Sequence, residues 1–117
     1  MAEATALGRG WQPWRRNVRV DGAEVDLAML RKTGEQTELL VAEVKTSRAP
    51  IADLVGRWPM RRQRRLWRAA ELLCEACGAD RVEVALITVV LQGDRQVVTW
   101  WVAQAPLDCS RSGSAPC

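Results

Sequence analysis

The stretch LLVAEVKT, residues 39–46, decides both the fold and the function that we predict for this chain. Aliphatic residues run up to a polar end, which is typical of a strand inside a sheet. Side chains alternate between the two faces of a strand, so Glu43 and Lys45 project to the same side. Charged groups are costly in a core unless they reach solvent or have a task there. Glu43 and Lys45 are therefore the first candidate site residues.

The segment before this strand predicts a meander of three strands. Asp21-Gly22 is a strong signal for a two-residue hairpin turn between strands at residues 17–20 and 23–30. A polar turn over residues 31–38 then leads into the strand at 39–46. Neighbouring strands joined in this way lie side by side in one sheet.

Carboxylates recur on the second strand of the meander. We expect Glu24 and Asp26 on one face of it, and Val25 and Leu27 on the other. Asp26 would then lie on the strand next to Glu43. The two carboxylates would be close enough to share a cation.

The second half of the chain predicts a long helix followed by two strands. Pro59 suits the start of the helix and Gly78 its end, with an apolar stripe between them. The apolar run 84–91 predicts a strand buried on both faces, and residues 96–103 predict a last strand. With a helical fragment at the N-terminus, this order predicts one mixed α/β domain over residues 1–107 and a flexible tail over 108–117.

Composition narrows the possible chemistry. The chain has no histidine, which excludes a histidine base and histidine-ligated zinc. A metal would be held by carboxylates, as Mg²⁺ or Mn²⁺ are, or by cysteines. Cys74 and Cys77 have CxxC spacing but no matching second pair, and we favour buried small residues over a zinc site. No apolar run approaches a membrane span and no signal-peptide layout is present, so we expect a cytoplasmic protein.

Arginine supplies almost all of the positive charge, and the net charge is +3. Codon usage explains such a bias, but arginine also suits bidentate phosphate contacts and a nucleic-acid partner. A solvated helix face that pairs with Glu71 and Glu75 is the other explanation of the helical arginines. The candidates for nucleic-acid binding are Arg57, Arg61, Arg64, Arg65 and Arg68 around the helix, with Arg16 and Arg19 on the first strand.

Asp26, Glu43 and Lys45 together predict phosphodiester chemistry. Two carboxylates can bind one hard divalent cation, which polarises a phosphodiester and activates water. The lysine can position that water or neutralise charge on the phosphoryl oxygens. The alternative is that Glu43 and Lys45 form an ordinary surface ion pair, worth less than about 1 kcal/mol.

The motifs GAEVDLA (residues 22–28) and LVAEVKT (40–46) resemble the paired motif of the YraN-like family of small uncharacterised bacterial proteins. That family is similar in turn to PD-(D/E)xK nucleases and to archaeal Holliday-junction resolvases. The resemblance extends through RNVR (16–19), RRQRRLWRAA (61–70) and VTWWVAQA (98–105). It implies a restriction-endonuclease-like mixed sheet flanked by helices, and metal-dependent cleavage of DNA, including branched DNA.

The resemblance also implies roles for single residues. It assigns Asp26 and Glu43 as ligands of Mg²⁺ or Mn²⁺ and Lys45 as the catalytic lysine, with Glu24 and Gln63 in support. Relatives begin with a longer helix that carries a glutamate, and the matching position would precede Met1. Either the start of the protein lies further upstream, so that the N-terminal helix is truncated here, or the protein lacks one acidic group. We assign no role to Glu3, which is out of register.

Two other functions remain open. The first is a non-catalytic accessory protein that binds nucleic acid with the same fold. The second is a protein-interaction module, in which Trp100 and Trp101 on an edge strand support a homodimer.

Overall fold

The structure, a computed structural model, describes residues 2–48 and 58–105. The connector around residues 49–57, which contains Arg57, and the tail over 108–117 lie outside the described residues. Within them the elements follow in the order α1 (Ala2–Gly8), β1 (Gln12–Val20), β2 (Ala23–Thr33), β3 (Gln36–Ser47), α2 (Met60–Cys77), β4 (Arg81–Gln92) and β5 (Arg95–Val102).

The strands form one mixed sheet in the order β1-β2-β3-β4-β5. Neighbours run antiparallel, except for β3 and β4, which are parallel and are linked through α2. The predicted α/β class is confirmed, as is the order of a helix, a three-strand meander, a long helix and two strands. No helix in the described part of the chain is long and apolar enough to cross a membrane.

The core consists of two layers, one on each face of the sheet. Leu39 and Val41 of β3 pack with α2, while Leu40 and Ala42 face the layer that contains α1. Each of the buried leucines contributes roughly 2 kcal/mol of hydrophobic stabilisation. The run Val84–Val90 of β4 is buried throughout, which confirms the predicted strand with two covered faces. Since Glu43 continues the alternation of Leu39 and Val41, its side chain projects towards α2.

The ends of α2 follow their sequence signals. Pro59 precedes the first turn in an extended conformation, and Gly78 ends the helix in the left-handed conformation with φ 70°. Cys74 is buried, and its thiol donates a hydrogen bond to the carbonyl oxygen of Ala79. Cys77 is half-buried at the same helix end.

The hairpins differ from their predicted lengths. The turn at Asp21-Gly22 is present, with both φ angles positive as such a turn requires. The predicted polar turn over residues 31–38 is wrong, because β2 and β3 stay paired as far as Thr33 and Gln36. Polar side chains stabilise this extension across the strands: the Arg31 guanidinium contacts the Glu38 carboxylate at 2.9 Å. Likewise β1 begins at residue 12 rather than 17.

The side-chain alternation of β2 changes phase at Asp26. Val25 packs on the α2 side of the sheet and Leu27 on the α1 side, so the prediction that they share a face is wrong. The neighbouring strand is distorted at the same level, where Asn17 has a φ of 49°. Asp26 therefore lies at a break in the regular pleat, where it can be reached from both faces of the sheet.

Candidate functional site

The site begins where β2 and β3 part. Their backbone pairing ends at Leu27 and Ala42, whereas β3 remains paired with β4 as far as Ser47. Beyond that point the Val44 N–H donates a hydrogen bond to Asp26 Oδ2 at 2.7 Å. The aspartate carboxylate thus takes the position that a backbone acceptor would have in a continuous ladder. This hydrogen bond fixes the Asp26 side chain beside Glu43 and Lys45.

Glu43 is a buried acid at the edge of this opening, with 8% of its surface exposed. Its Oε2 atom lies 3.2 Å from Lys45 Nζ and 3.4 Å from Arg62 Nη2. Neither Lys45 nor Arg62 is oriented to donate a hydrogen bond to it. The negative charge of this buried oxygen is therefore balanced, but the oxygen accepts no hydrogen bond. A buried carboxylate oxygen without a donor is costly in a purely structural role, and is well suited to accept an incoming cation or donor.

These groups line a cleft of about 320 Å³ between the sheet and the first turns of α2. Three carboxylates and three cations share it, an arrangement that suits a cation and a phosphate together. The lining residues are Gly22, Ala23, Glu24, Asp26, Glu43, Val44, Lys45, Arg62, Arg65 and Leu66.

A second cavity, of about 420 Å³, lies on the α1 side of the sheet and also reaches Asp26. Glu3, which the sequence left without a role, lines this cavity together with Arg16 and Asn17. Arg16 Nε donates a hydrogen bond to Glu3 Oε1 at 2.8 Å. That hydrogen bond holds the pKa of the Glu3 carboxyl below its usual range. The Glu3 carboxylate is therefore engaged by Arg16 within the cavity that it shares with Asp26.

Asp26 and Glu43 are the residues that could hold a metal ion. Among residues 2–48 and 58–105, no group of three or more acidic, cysteine or histidine side chains forms a metal centre. Mg²⁺ does not require one, because it is commonly bound through one or two carboxylates, water and substrate phosphates. The donor-free Oε2 of Glu43 beside the anchored Asp26 carboxylate fits that pattern.

The arginines predicted to bind nucleic acid occupy different surroundings. Arg65 lines the cleft, and Arg61 and Arg64 are exposed on the outer side of α2. Arg68 Nε forms an ion pair with Asp21 Oδ2 at 2.9 Å. Arg19 is exposed on β1, opposite Glu24.

Gln63 does not line the cleft. Its side-chain amide donates a hydrogen bond to the backbone carbonyl of Trp58 at 3.0 Å, which ties the start of α2 to the preceding segment. This contact gives Gln63 a local structural role in the helix start.

Arg62 is the cleft residue that sequence reasoning missed. The arginine stripe predicted from sequence contains residues at helical spacing, such as Arg61 and Arg65. Arg62 was left out of it because it lies about a quarter turn around the helix from Arg61. It adjoins the buried stripe that contains Leu66 and Ala69, one turn and two turns further along. A charged side chain at the border of an apolar stripe can reach a polar group on the element beneath the helix. The place of Arg62 next to the apolar stripe is therefore the sequence feature that could have identified it.

Comparison with known proteins identifies a family for the chain. No curated protein matches the chain. The family model described as Uncharacterised protein family UPF0102 matches residues 1–87. The matched region extends from α1 into β4, so it includes Asp26, Glu43, Lys45 and α2. On this match, which covers most of its length, the chain belongs to the Uncharacterised protein family UPF0102.

Proposed function

We propose that the protein is an endonuclease that hydrolyses DNA phosphodiester bonds with Mg²⁺ or Mn²⁺. The observation that carries the proposal is the carboxylate pair: Asp26, anchored on the Val44 N–H, beside the donor-free Oε2 of the buried Glu43. Lys45 lies 3.2 Å from that oxygen, and α2 brings arginines to the same cleft. The resemblance to PD-(D/E)xK nucleases supports the same assignment and extends it to branched DNA.

Each residue has a distinct task in this reaction. Asp26 and Glu43 would hold the ion, which would supply Lewis-acid polarisation of the phosphodiester and a water of lowered pKa. Lys45 donates hydrogen bonds to the attacking water or to the phosphoryl oxygens, where negative charge develops. Arg65 binds the DNA backbone next to the cleft, and Glu24 orders water at its exposed rim. No side chain of the chain forms a covalent intermediate.

The charge at the start of α2 supports an anionic substrate. The first turn holds no acidic residue and contains Arg61 and Arg62 directly after Met60. Cations at a helix N-terminus oppose the helix dipole, at a cost of about 0.3–1 kcal/mol each. A phosphate in the adjoining cleft would offset this repulsion, since the helix dipole and the Arg62 guanidinium both attract an anion placed there.

DNA binding through α2 is tested by its salt dependence. Replacing Arg61 and Arg64 with glutamine is expected to weaken binding about tenfold at moderate salt and to reduce the slope of log affinity against log salt by about 2. Fluorescence anisotropy on a labelled duplex, at several salt concentrations, measures both values. The matched control carries Lys32→Gln and Arg81→Gln. These changes remove the same charge from the end of the sheet that lies away from the cleft. Equal effects of the two double variants would contradict a contact through α2.

Binding without cleavage is a second candidate function. One observation favours it. Glu3 is a further carboxylate at a cavity that reaches Asp26, but it is hydrogen-bonded to Arg16 and so is not available to complete a catalytic metal site. Incubation of the purified protein with linear and branched DNA in Mn²⁺ separates the two functions. Intact DNA under conditions where anisotropy shows saturated binding would favour the accessory role.

Homodimerisation remains a prediction, and the two sheet edges differ in a way that bears on it. Edge strand β1 carries Pro13, an irregularity next to it and several arginines, all of which discourage strand pairing. The other edge, β5, has no charged residue after Arg95. The indoles of Trp100 and Trp101 are hydrogen-bonded to the neighbouring β4, to Glu83 and Thr88 respectively.

A dimer is therefore best tested at the exposed edge rather than at the tryptophans. In sedimentation velocity we expect Val97→Lys to convert a wild-type dimer into monomer, because a charge there opposes strand pairing. Leu72→Lys, at an exposed apolar position of α2, is the control and should sediment as wild type does. A wild-type protein that sediments as a monomer at high concentration would contradict the prediction.

A further inference from the structure

Arg62 and Lys45 both compensate the same buried oxygen of Glu43, but they reach it differently. Lys45 is on β3, two residues from Glu43, and its side chain is 31% exposed. Arg62 reaches across from α2, and its side chain is 45% exposed. Because Arg62 belongs to another element and is the more exposed of the two, its guanidinium can turn away into the cleft while Lys45 stays beside Glu43.

A divalent ion held by Asp26 and Glu43 would compete with Arg62. The guanidinium lies 3.4 Å from Glu43 Oε2, the oxygen that has no directional donor and is the one available to an incoming cation. A dication and a guanidinium on one oxygen repel each other strongly at such distances. Binding of the ion therefore favours a position of Arg62 away from Glu43, where an anion in the cleft can receive it.

We propose that Arg62 couples metal binding to DNA binding. Arg62 compensates the charge of Glu43 while no ion is bound. With an ion bound to Glu43, its guanidinium would turn to a DNA phosphate in the cleft. This inference rests on the proposed function and adds to it a positioning residue that links the two ligands. Such a coupling is reciprocal: DNA raises the affinity for the ion by the same factor by which the ion raises the affinity for DNA.

The test measures Mn²⁺ binding by isothermal titration calorimetry, without any assay of cleavage. Removing the competing charge in Arg62→Gln is expected to tighten Mn²⁺ binding about tenfold in the absence of DNA. Arg81→Gln removes the same charge from the exposed start of β4, away from the cleft, and should change Mn²⁺ affinity by less than about twofold because solvent screens it. Arg62→Lys, which keeps the charge on a different head group, should give an intermediate affinity.

The second measurement repeats the titration with a short DNA duplex present. In the wild type, DNA should raise the affinity for Mn²⁺. In Arg62→Gln, the logarithm of the factor by which DNA raises this affinity should be less than half of the wild-type value. A melting curve for each variant confirms that it is folded, which we expect because Arg62 is an exposed position of α2.

The possible failures are distinguishable. If the wild type binds Mn²⁺ and Arg62→Gln binds it no more tightly than Arg81→Gln does, the coupling is overturned and the metal site stands. If the wild type binds no Mn²⁺ with or without DNA, the proposed function fails and the coupling fails with it.

Discussion

Replacing Lys45 with alanine is expected to lower the rate of DNA cleavage by about 10²- to 10³-fold, the loss seen when one preorganised donor to developing charge is removed. Lys45 Nζ lies beside Glu43, and Lys45 lines the cleft. Among the described residues, no other lysine lines this cleft. The fold should survive, since Arg62 still compensates Glu43. A single-turnover assay with Mn²⁺ and a labelled duplex measures the rate.

The chain offers a matched control for this variant. Lys32 is its other lysine, exposed near the tip of the hairpin between β2 and β3. Lys32→Ala should cleave at close to the wild-type rate. Cleavage that persists in Lys45→Ala at the wild-type rate would assign the activity to a contaminant and would contradict the catalytic role of Lys45.

Replacing Trp11 with alanine is expected to have the largest effect on stability. Trp11 is 1% exposed and packs in the layer between α1 and the sheet, with the Arg31 guanidinium 4.1 Å from its ring centre. Loss of a buried tryptophan costs about 3–5 kcal/mol, because the cavity closes only in part. For a domain of this size the melting temperature should fall by at least roughly 15 °C. Thermal unfolding followed by far-UV circular dichroism measures it.

Trp14 provides the comparison for this prediction. It is half-buried at the irregularity of edge strand β1 and packs on the opposite face of the sheet. Trp14→Ala should cost about 1 kcal/mol, since most point substitutions at partly exposed positions lie in that range. If Trp11→Ala and Trp14→Ala lowered the melting temperature equally, the packing of α1 on the sheet would not depend on Trp11. The claim that Trp11 stabilises this side of the sheet would then be contradicted.

The parts of the fold that sequence predicted are those set by local chemistry. The turn at Asp21-Gly22 needs positive φ angles, and Gly78 ends α2 for the same reason. The alternation along β3 assigns Glu43 and Lys45 to one face because the period of a strand is two. Each of these features depends on a few adjacent residues, so a single sequence contains the information.

The features that sequence did not predict depend on distant partners. The phase change at Asp26 coincides with a left-handed residue on β1, Asn17, and with a hydrogen bond from Val44 on β3. Nothing near Asp26 in the sequence specifies either contact. Arg62 contacts Glu43 across a separation of 19 residues, and its role emerges only when α2 is laid over the end of β3.

The length of the central hairpin was missed for a related reason. Residues 31–38 are polar, and polar segments with a glycine are typical of turns. Here Arg31 and Thr33 instead contact Glu38 from the neighbouring strand, and those two hydrogen bonds, that of Thr33 above all, lower the pKa of the Glu38 carboxyl. Cross-strand pairs of this kind stabilise a hairpin that hydrophobic alternation alone does not reveal.

The central claim is that Asp26 and Glu43 together hold a divalent metal ion. Crystals soaked in Mn²⁺ and measured at a wavelength where manganese scatters anomalously test it most directly. We predict an anomalous peak within coordination distance of both carboxylates, with the Arg62 guanidinium displaced from Glu43 Oε2. A map without a peak at saturating Mn²⁺, in which Glu43 still contacts Arg62 and Lys45, would contradict the claim.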